Sequence, residues 1–290
     1  RAPAAAATTT LADAIEWGAP ATEETEIYIA YDSDNLYFGF YLHYADPTIM
    51  RANRVDRDTA YLDDLMTVYF DTFMDQQRTY DFDVNGYNVQ GDGILNSGGR
   101  RGRMSPIPPA DRSWDTLFYS GTQIVADGYT AEMAIPFKSI RYPQQAPGDE
   151  HRWGFQIVRE VKAKNQESIV WAPMSRDVQT FMSQMGVLEG MTDLSTSRNL
   201  EILPTVTTVH AGSLNTTGDF VNDTTPEAGL NVKYGVTSNL TADFTVNPDF
   251  SQIESDRPQI DVNQRFPLFY QELRPFFLEG AEIFEFTSPI

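Results

Sequence analysis

The sequence predicts an all-β protein, in which an antiparallel, jelly-roll-like β-sandwich is followed by a second region of hairpin strands. Three observations support this fold class. Short segments alternate apolar and polar residues with a period of two, which is typical of half-buried strands. Turn-forming residues separate these segments, and helical periodicity is almost absent. A hydrophobic fraction of 41% and an aromatic fraction of 12% in 290 residues are enough to build a core.

The charge balance and the absence of cysteine limit the kinds of function. Lys and Arg number 21 against 41 Asp and Glu, which gives a formal net charge of −20. A nucleic-acid partner requires a basic surface, so this balance argues against nucleic acid. It is compatible with divalent cations or with a neutral partner such as a glycan. The chain has no cysteine, which excludes disulfides, thiolate metal sites and cysteine nucleophiles.

The first predicted hairpin is rich in aromatic residues. Residues 26–31 alternate apolar and polar side chains, and residues 32–35 read Asp-Ser-Asp-Asn, a composition typical of a turn. Residues 36–42 then alternate again. The large apolar side chains of this second strand share one phase, namely Leu36, Phe38, Phe40 and Leu42.

An acidic, aromatic stretch at residues 63–92 is predicted to hold two central strands of the sandwich. The opposite phase of its second strand carries Asp81, Asp83 and Asn85. We expect these polar groups on an exposed acidic face at the rim of the core. Alternation assigns six side chains of the stretch to the core itself: Met66, Val68, Phe70, Tyr80, Phe82 and Val84.

The next part of the chain is predicted to be a long loop followed by further strands. Residues 91–111 are rich in Gly, Pro, Ser and Arg, and this composition predicts a loop. The Asp127-Gly128 pair predicts a two-residue hairpin turn, and residues 136–140 predict one helical turn. We expect strands at residues 114–120, 123–126, 129–135, 153–161 and 168–171, with Trp153 in the core.

A second region begins near Arg198. Residues 200–209 are predicted to be extended, and residues 228–234 and 240–247 to form a hairpin. One face of this hairpin is apolar and the other polar. Segments of about ten residues with this pattern are typical of transmembrane β-barrel strands. Ordinary sheet hairpins have the same pattern, so both interpretations stay open on pattern alone.

Several blocks of the sequence resemble one family of bacterial outer-membrane proteins. The blocks are NPDFSQIE at residues 247–254, FYQELRPFFLEG at 269–280, and TEIYIAYDSDNLYFGF, DGYTAEMAIPFKSIRY and WGFQIVRE earlier in the chain. In that family, a sandwich similar to the family 9 carbohydrate-binding module precedes a C-terminal β-barrel domain of unknown function.

The resemblance implies a domain organisation, a location and partners. It implies a poorly defined N-terminal segment at residues 1–24, a sandwich of the carbohydrate-binding-module type at 25–195, and the first strands of the barrel at 196–290. It places the protein in the bacterial cell envelope, at the outer membrane. The implied partners are a glycan or polysaccharide and other envelope proteins.

Clusters of carboxylates are candidate metal ligands. Hard oxygen ligands at junctions of loops and strands suit calcium, which takes six to eight oxygens. The resemblance also implies structural calcium. Solvated acidic turns are the alternative in a chain this acidic. The three histidines are not spaced as zinc ligands. The candidate calcium ligands are Asp32 and Asp34 in the first turn, and Asp63, Asp64 and Asp71 around the first central strand.

A sugar site needs a flat aromatic ring beside amides and carboxylates that reach the sugar hydroxyls. The stretch around residues 85–90 supplies amides, and Trp114 lies next to Asp115 beyond the long loop. The predicted ligand-binding residues are Trp114, Asp115, Tyr87, Asn85, Asn88 and Gln90. Because no pair of aromatics that grips a sugar is evident, the glycan itself rests on the resemblance.

Catalysis is not expected from this sequence. Asp81 and Asp83 are two residues apart and have a spacing that an inverting glycosidase can use, but an exposed acidic strand face explains them better. The sequence contains no Ser–His–Asp pattern, P-loop or dinucleotide fingerprint.

Three non-enzymatic functions are therefore compared. The first is a glycan-binding envelope protein, and the second is a structural or assembly module without sugar binding. The third is an accessory haem-binding sandwich that would use Met66, Met74 or His43.

Overall fold

A computed structural model gives the structure of the protein. The chain divides into two compact units, Arg1–Ser197 and Arg198–Ile290, and each is described by itself. Among the described residues, no helix is long and apolar enough to cross a membrane. The structure describes residues 5–10, 13–14, 19–97, 107–112, 114–164, 166–175, 177–178, 180–195, 200–214, 217–237 and 240–247.

The described chain is built from strands and three short 3₁₀ turns. The 3₁₀ turns are Pro47–Ile49, Phe137–Ser139 and Met182–Gln184. The strands are β1 (Ala5–Thr10), β2 (Asp13–Ala14), β3 (Ala19–Pro20), β4 (Thr25–Tyr31), β5 (Asn35–His43), β6 (Leu65–Asp71), β7 (Arg78–Asn85), β8 (Gln90–Asn96), β9 (Tyr119–Val125), β10 (Gly128–Pro136), β11 (Glu150–Val161), β12 (Glu167–Val170), β13 (Gly186–Thr192), β14 (Leu200–Leu214), β15 (Phe220–Thr237) and β16 (Leu240–Val246).

The first unit is an antiparallel sandwich of two sheets, which confirms the predicted fold class. One sheet has five strands in the order β1-β4-β5-β10-β9. The other has eight, in the order β3-β2-β12-β11-β6-β7-β8, with β13 also paired to β11. Rings from both sheets meet between them, and Phe38 of β5 lies 6.0 Å from both Phe70 and Phe155, measured between ring centroids.

The core between the sheets confirms the assignment made from alternation. All six side chains predicted from residues 63–92 are at most 4% exposed, and Trp153 is 1% exposed. Aromatic rings of the core meet mostly edge to face or tilted, and Phe70 lies 5.9 Å from Trp153. Burying a side chain of this size contributes about 1.5–3 kcal/mol to stability.

A second cluster of buried side chains covers the outer face of the eight-stranded sheet. Every residue of β6 is buried as a result, whichever face it lies on. The expectation of an exposed acidic face on β7 is therefore wrong, since Asp81 and Asp83 are 0% and 3% exposed. The members of this cluster, the covering cluster, are Tyr69, Leu95, Ile107, Val158, Val170, Met174, Phe181 and Met182.

Some of the predicted elements differ from those observed. The predicted loop at residues 91–111 begins with a strand, because β8 pairs with β7. Of the strand predicted at 114–120, only residues 119–120 are in a strand, and they belong to the same strand, β9, as the one predicted at 123–126. Strand β13 was not predicted, whereas the predicted helical turn is present as Phe137–Ser139.

The glycines that suggested a loop in β8 have a packing role instead. Gly91 lies opposite Asp83, and Gly93 lies opposite Asp81. A Cβ atom at Gly91 would lie 2.5 Å from Asp83 Oδ1, and one at Gly93 would lie 3.0 Å from Asp81 Oδ1. Both glycines therefore make room for buried carboxylates on the neighbouring strand.

The second unit is described as a three-stranded antiparallel sheet in the order β14-β15-β16, and the predicted hairpin is confirmed. The strand register places one set of residues on a common apolar face. This set, the apolar face, consists of Leu200, Ile202, Pro204 and Val206 of β14, Ala228, Leu230, Val232 and Tyr234 of β15, and Ala242, Phe244 and Val246 of β16. The opposite face carries mainly polar residues, with Leu203 as an exception: Thr205, Thr207, Glu227, Asn231, Asp243 and Thr245.

Candidate functional site

Asp63 and Asp64, two of the predicted calcium ligands, are buried and already bonded to the protein. Asp63 accepts hydrogen bonds from the backbone N–H of Asn53 at 2.8 Å and from the Asn85 amide at 2.7 Å. Asp64 accepts from the Tyr44 hydroxyl at 2.8 Å and from two backbone N–H groups, those of residues 51 and 162. These carboxylates tie loops to the start of β6.

The other candidate ligands lie elsewhere in the sandwich. Asp71 accepts a hydrogen bond from Gln76 N–H at 2.9 Å, and burial raises its pKa. Asp32 accepts from the N–H groups of Asp34 and Asn35, both at 2.8 Å. Burial raises the pKa of Asp32, but these bonds and one from Tyr37 outweigh burial and lower it.

The structure does not assemble the five carboxylates into one site. Across the described residues, no group of three or more His, Asp or Glu side chains has an arrangement that could hold a metal ion. Calcium binding stays a prediction.

Two of the predicted sugar-binding residues serve the fold in the structure. Asn85 is 0% exposed, and its Oδ1 accepts from the N–H groups of Tyr87 and Val89 at 2.9 and 3.0 Å. It shapes the turn between β7 and β8 and does not reach solvent. Trp114 is half-buried, and its ring lies 5.1 Å from Tyr80 and 6.0 Å from Phe82. The expectation of a surface tryptophan is therefore replaced by one that packs against the core.

Three of the remaining four predicted residues, Asn88, Gln90 and Asp115, lie around Arg57 at one rim of the sandwich, and the Arg54 guanidinium lies 5.1 Å from the ring of the fourth, Tyr87. The Arg57 guanidinium donates to Gln90 Oε1 at 2.7 Å and lies 3.3 Å from Asp115. Ser120 links Gln90 to Asn88, with both contacts at 2.7 Å. We call Arg57, Tyr87, Asn88, Gln90 and Asp115 the Arg57 rim.

Arg57 also forms an ion pair with Asp92, which is buried beneath the rim. Burial raises the pKa of Asp92 to about 6, although Arg57 lowers it. Arg57 has no local signal in the sequence, because it lies 33 residues from Gln90 and 35 from Asp92.

The paired carboxylates considered for catalysis are enclosed. Arg112 Nη2 lies 2.9 Å from Asp81 Oδ2 and 2.8 Å from Asp83 Oδ2. Burial raises the pKa of Asp81 to about 7, although Arg112 lowers it. Both carboxylates are buried on the covered face of the sheet.

The outer face of the five-stranded sheet is open and carries tyrosines around two glycines. In the strand register, Tyr28 faces Gly39 across β4 and β5, while Ala134 of β10 lies between Tyr37 and Tyr119. The side chain of Tyr119 is 65% exposed and that of Tyr28 is 47% exposed. We call the following set the tyrosine face: Glu26, Tyr28, Tyr37, Gly39, Tyr41, His43, Tyr119, Gly121, Gln123, Thr130 and Glu132.

Carboxylates hold three of these tyrosines in place. The Tyr28 hydroxyl donates to Glu26 at 2.7 Å, and the Tyr41 hydroxyl donates to Asp127 at 2.6 Å. The Tyr37 hydroxyl donates to the Asp32 carboxylate at 2.9 Å. The rings are therefore fixed before any ligand arrives, which reduces the entropy lost on binding.

His43 joins two of these pairs into one network. Its ring nitrogens lie 3.2 Å from Glu26 Oε1 and 3.1 Å from Asp127 Oδ2. Its ring also stacks on that of Tyr41, at 3.9 Å between centroids. Burial lowers the pKa of His43, but hydrogen bonds to Asp127 and Glu26 outweigh burial and raise it.

The sequence contains a signal for this face in the alternation along β5. The alternation that assigns residues 36, 38, 40 and 42 to the core places Tyr37, Gly39, Tyr41 and His43 on the opposite side of β5. Aromatic residues that cluster on the solvent side of a sheet are a signal for a binding surface.

The three candidate haem ligands are not brought together. Met66 is buried in the core between the sheets, at 0% exposure, and Met74 is 44% exposed in the turn after β6. His43 lies on the tyrosine face with a carboxylate at each ring nitrogen. No arrangement of these side chains favours the haem-binding alternative.

Comparisons with known proteins match the two regions separately. The family model described as "Carbohydrate family 9 binding domain-like" matches residues 2–189. The model described as "Domain of unknown function (DUF5916)" matches residues 197–288. Among curated proteins, no relative matches the chain.

Solved structures with a similar fold include a carbohydrate-binding module of family 9 from Caldicellulosiruptor kristjanssonii. In complex with cellotriose it is 17% identical, with 58% of this chain and 75% of that chain covered and a TM-score of 0.38. In complex with glucose it is also 17% identical, with 62% and 83% covered and a TM-score of 0.40. A candidate carbohydrate-binding protein from Bacteroides uniformis is 13% identical, with 63% and 85% covered and a TM-score of 0.46.

Proposed function

Since this chain belongs to the carbohydrate family 9 binding domain-like family, we propose that it binds glycan without catalysis and works in the bacterial cell envelope. The tyrosine face is the observation that carries this proposal. The second unit is proposed to hold the sandwich at the outer membrane. The two parts of the proposal rest on different surfaces, so they are tested separately.

The tyrosine face has the chemistry that a sugar ring requires. Pyranose rings present C–H groups on one side, which pack against aromatic rings such as the exposed ring of Tyr119. Hydroxyls at the ring edge need hydrogen-bond acceptors and donors, which Glu132, Thr130 and Gln123 supply. A Cβ atom at Gly121 would meet no atom within 4 Å, so there is space for a ligand beside Tyr119.

Binding is tested by isothermal titration calorimetry with a panel of neutral oligosaccharides. We expect Tyr28→Ala and Tyr119→Ala each to weaken binding roughly fivefold or more, since truncating an aromatic hot spot costs over about 1 kcal/mol. Tyr61→Ala is the matched control, because Tyr61 is 67% exposed but precedes β6 and lies outside the tyrosine face. The assignment of the glycan to the tyrosine face fails if Tyr28→Ala and Tyr119→Ala bind like the wild type.

The same titrations distinguish the tyrosine face from the Arg57 rim. Tyr87 and Asp115 of the rim are exposed, and both remain predicted ligand-binding residues. If Tyr87→Ala and Asp115→Ala weaken binding while the tyrosine-face variants do not, the glycan binds at the rim. If no oligosaccharide binds, the assembly role without sugar binding is favoured instead.

The apolar face of the second unit supports the membrane part of the proposal. Val206 is 81% exposed, Val246 67% and Phe244 62%. Water disfavours so much exposed apolar surface. Strand β14 has 15 residues and β15 has 18, whereas a tilted strand needs about 9–11 residues to cross a bilayer. A sheet with lipid on its apolar face satisfies both observations.

A pair of lysine substitutions tests whether lipid covers this face. We expect Val206→Lys to reduce the outer-membrane fraction of the full-length protein, since lysine on a lipid face costs about 2–4 kcal/mol near the midplane. Thr207→Lys is the matched control, because it lies next in the strand but on the opposite face. Equal amounts of both variants in the soluble fraction would contradict the membrane proposal.

A further inference from the structure

The geometry points to a substrate class: we propose that the tyrosine face selects glycans that carry free amines, with Glu132 as the anchor for the ammonium group. This inference rests on the proposed glycan binding and names the sugar chemistry that the same face prefers.

Glu132 is the central carboxylate of the tyrosine face, and its surroundings leave it accessible. It lies on β10 and pairs in register with Gly39 of β5 on one side and Gly121 of β9 on the other. At Gly39, a Cβ atom would come no closer than 3.6 Å, to Tyr28 Cβ, and at Gly121 it would meet nothing within 4 Å. With a glycine on each side, no neighbouring side chain on these strands covers the carboxylate.

The other carboxylates of the face already serve the protein. Glu26 accepts from Tyr28, and Asp127 accepts from Tyr41, while His43 lies between the two. The Glu132 side chain is exposed and, among the described residues, has no hydrogen bond or ion pair. It is therefore the carboxylate that is available to a ligand.

Aromatic rings surround the place where an ammonium group would meet Glu132. Tyr28 lies beyond Gly39, on the next strand in the same row. Tyr37 and Tyr119 lie in the row of Ala134. Ala134 is two residues from Glu132 along β10, which separates their Cα atoms by about 7 Å. An ammonium group beside such rings gains a cation–π attraction in addition to its ion pair.

The charge of the face excludes one class of glycan and favours another. Strands β4, β5, β9 and β10 contain no Lys or Arg. The one histidine of these strands, His43, lies between Glu26 and Asp127, and Glu132 adds a further carboxylate. Acidic sugars would be repelled, and neutral sugars would gain ring packing and hydrogen bonds but no ion pair. Sugars with protonated amines would gain an attraction of opposite charges as well, which sets both affinity and specificity.

The test compares glucosamine oligomers with N-acetylglucosamine oligomers of the same length by calorimetry at pH 6. These two ligands differ only in the acetyl groups that remove the positive charges. We expect the wild type to bind the amine oligomer at least fivefold more tightly. That preference should shrink as salt is raised, because exposed charges are screened.

Glu132→Gln is the decisive variant, because it removes the charge and keeps the shape. It should lose the preference for the amine oligomer, so that the variant binds the two oligomers with about equal affinity. Glu150→Gln is the matched control, since Glu150 is exposed on β11 of the other sheet, and it should keep the preference.

The outcomes separate this inference from the proposed function. If the wild type binds both oligomers equally, or Glu132→Gln keeps the preference, the amine selectivity is wrong while glycan binding stands. If neither oligomer nor any neutral oligosaccharide binds, the proposed function fails and this inference with it. If oligolysine displaces the amine oligomer at equal concentrations of amine, the face recognises charge alone and the sugar specificity is overturned.

Discussion

The two sheets of the sandwich differ in what lies on their outer faces. On β5 of the five-stranded sheet, buried and half-exposed residues alternate, so that one side packs in the core and the other meets solvent. On β6 of the eight-stranded sheet every residue is buried, because the covering cluster lies on its outer face. The open face is therefore free for a ligand, while the covered face contributes to stability.

The carboxylates of the two faces illustrate this difference. Glu26 of the open face holds a tyrosine hydroxyl at the surface. Asp81 of the covered face is 0% exposed, and among the described residues both its oxygens lack a hydrogen bond, with Arg112 as an ion-pair partner. Burying a charge in this way destabilises the fold unless the charge is paired. The same chemical group, a carboxylate, therefore prepares a binding surface on one sheet and imposes a pH dependence on the other.

The largest expected effect is on the covering cluster. Phe181 is 2% exposed and meets the Tyr69 ring edge to face at 5.1 Å. We expect Phe181→Ala to lower the free energy of unfolding by about 3–5 kcal/mol, the usual cost of removing a buried phenylalanine ring. Unfolding in urea measures this change.

Tyr119→Ala is the control on the open face, where we expect a change within about 0.5 kcal/mol. Similar losses for the two variants would mean that the faces do not differ in the way described. A loss below about 1 kcal/mol for Phe181→Ala would mean that the covering cluster contributes little to stability.

A second expectation concerns pH. Burial raises the pKa of Asp81 to about 7, although Arg112 lowers it, and the ordinary value is 3.8. The folded protein therefore holds this proton more tightly than the unfolded chain does. The resulting contribution to stability is fully present below about pH 3.8 and is lost as the pH rises through about 7.

Asp81→Asn should therefore reduce the loss of stability between pH 5 and pH 8. The expected reduction is roughly 2–3 kcal/mol, since one pKa unit corresponds to about 1.4 kcal/mol. Unfolding in urea at the two pH values measures it, and Asp34→Asn, an exposed carboxylate of the first turn, serves as the control. An unchanged pH dependence in Asp81→Asn would show that Asp81 does not titrate in this range.

Local patterns predicted the strands but not what covers them. Alternation is local, so Met66 and Phe82 were placed in the core correctly. The covering of β6 and β7 depends on a segment near Phe181, about a hundred residues later in the chain, and no local pattern reveals that contact. Asp81 was therefore expected at the surface, although a pairing of β7 with the Gly-Asp-Gly of β8 would have indicated a crowded face.

The candidate site was predicted in part, for a similar reason. The turn around Tyr87 was found because amides and an aromatic residue lie together in the sequence. Arg57, which links Gln90 to Asp115, was missed because it is distant in sequence. The tyrosine face needs four strands in register, and only the contribution of β5 was readable locally.

Two glycines provide the most direct comparison of the two faces. A Cβ atom at Gly93 would lie 2.9 Å from the backbone oxygen of Asp111 and 2.9 Å from Ala110 Cβ, whereas one at Gly121 would meet nothing within 4 Å. We expect Gly93→Ala to destabilise the protein by about 1–3 kcal/mol, because residues 110–111 have to move. Gly121→Ala should change stability by about 0.5 kcal/mol at most, measured in the same urea titrations. Since the two substitutions add the same methyl group to a strand, a difference between them measures the crowding at Gly93 by residues 110–111 and by Asp81 Oδ1, which a Cβ atom would approach to 3.0 Å. Equal effects would mean that these neighbours yield without cost.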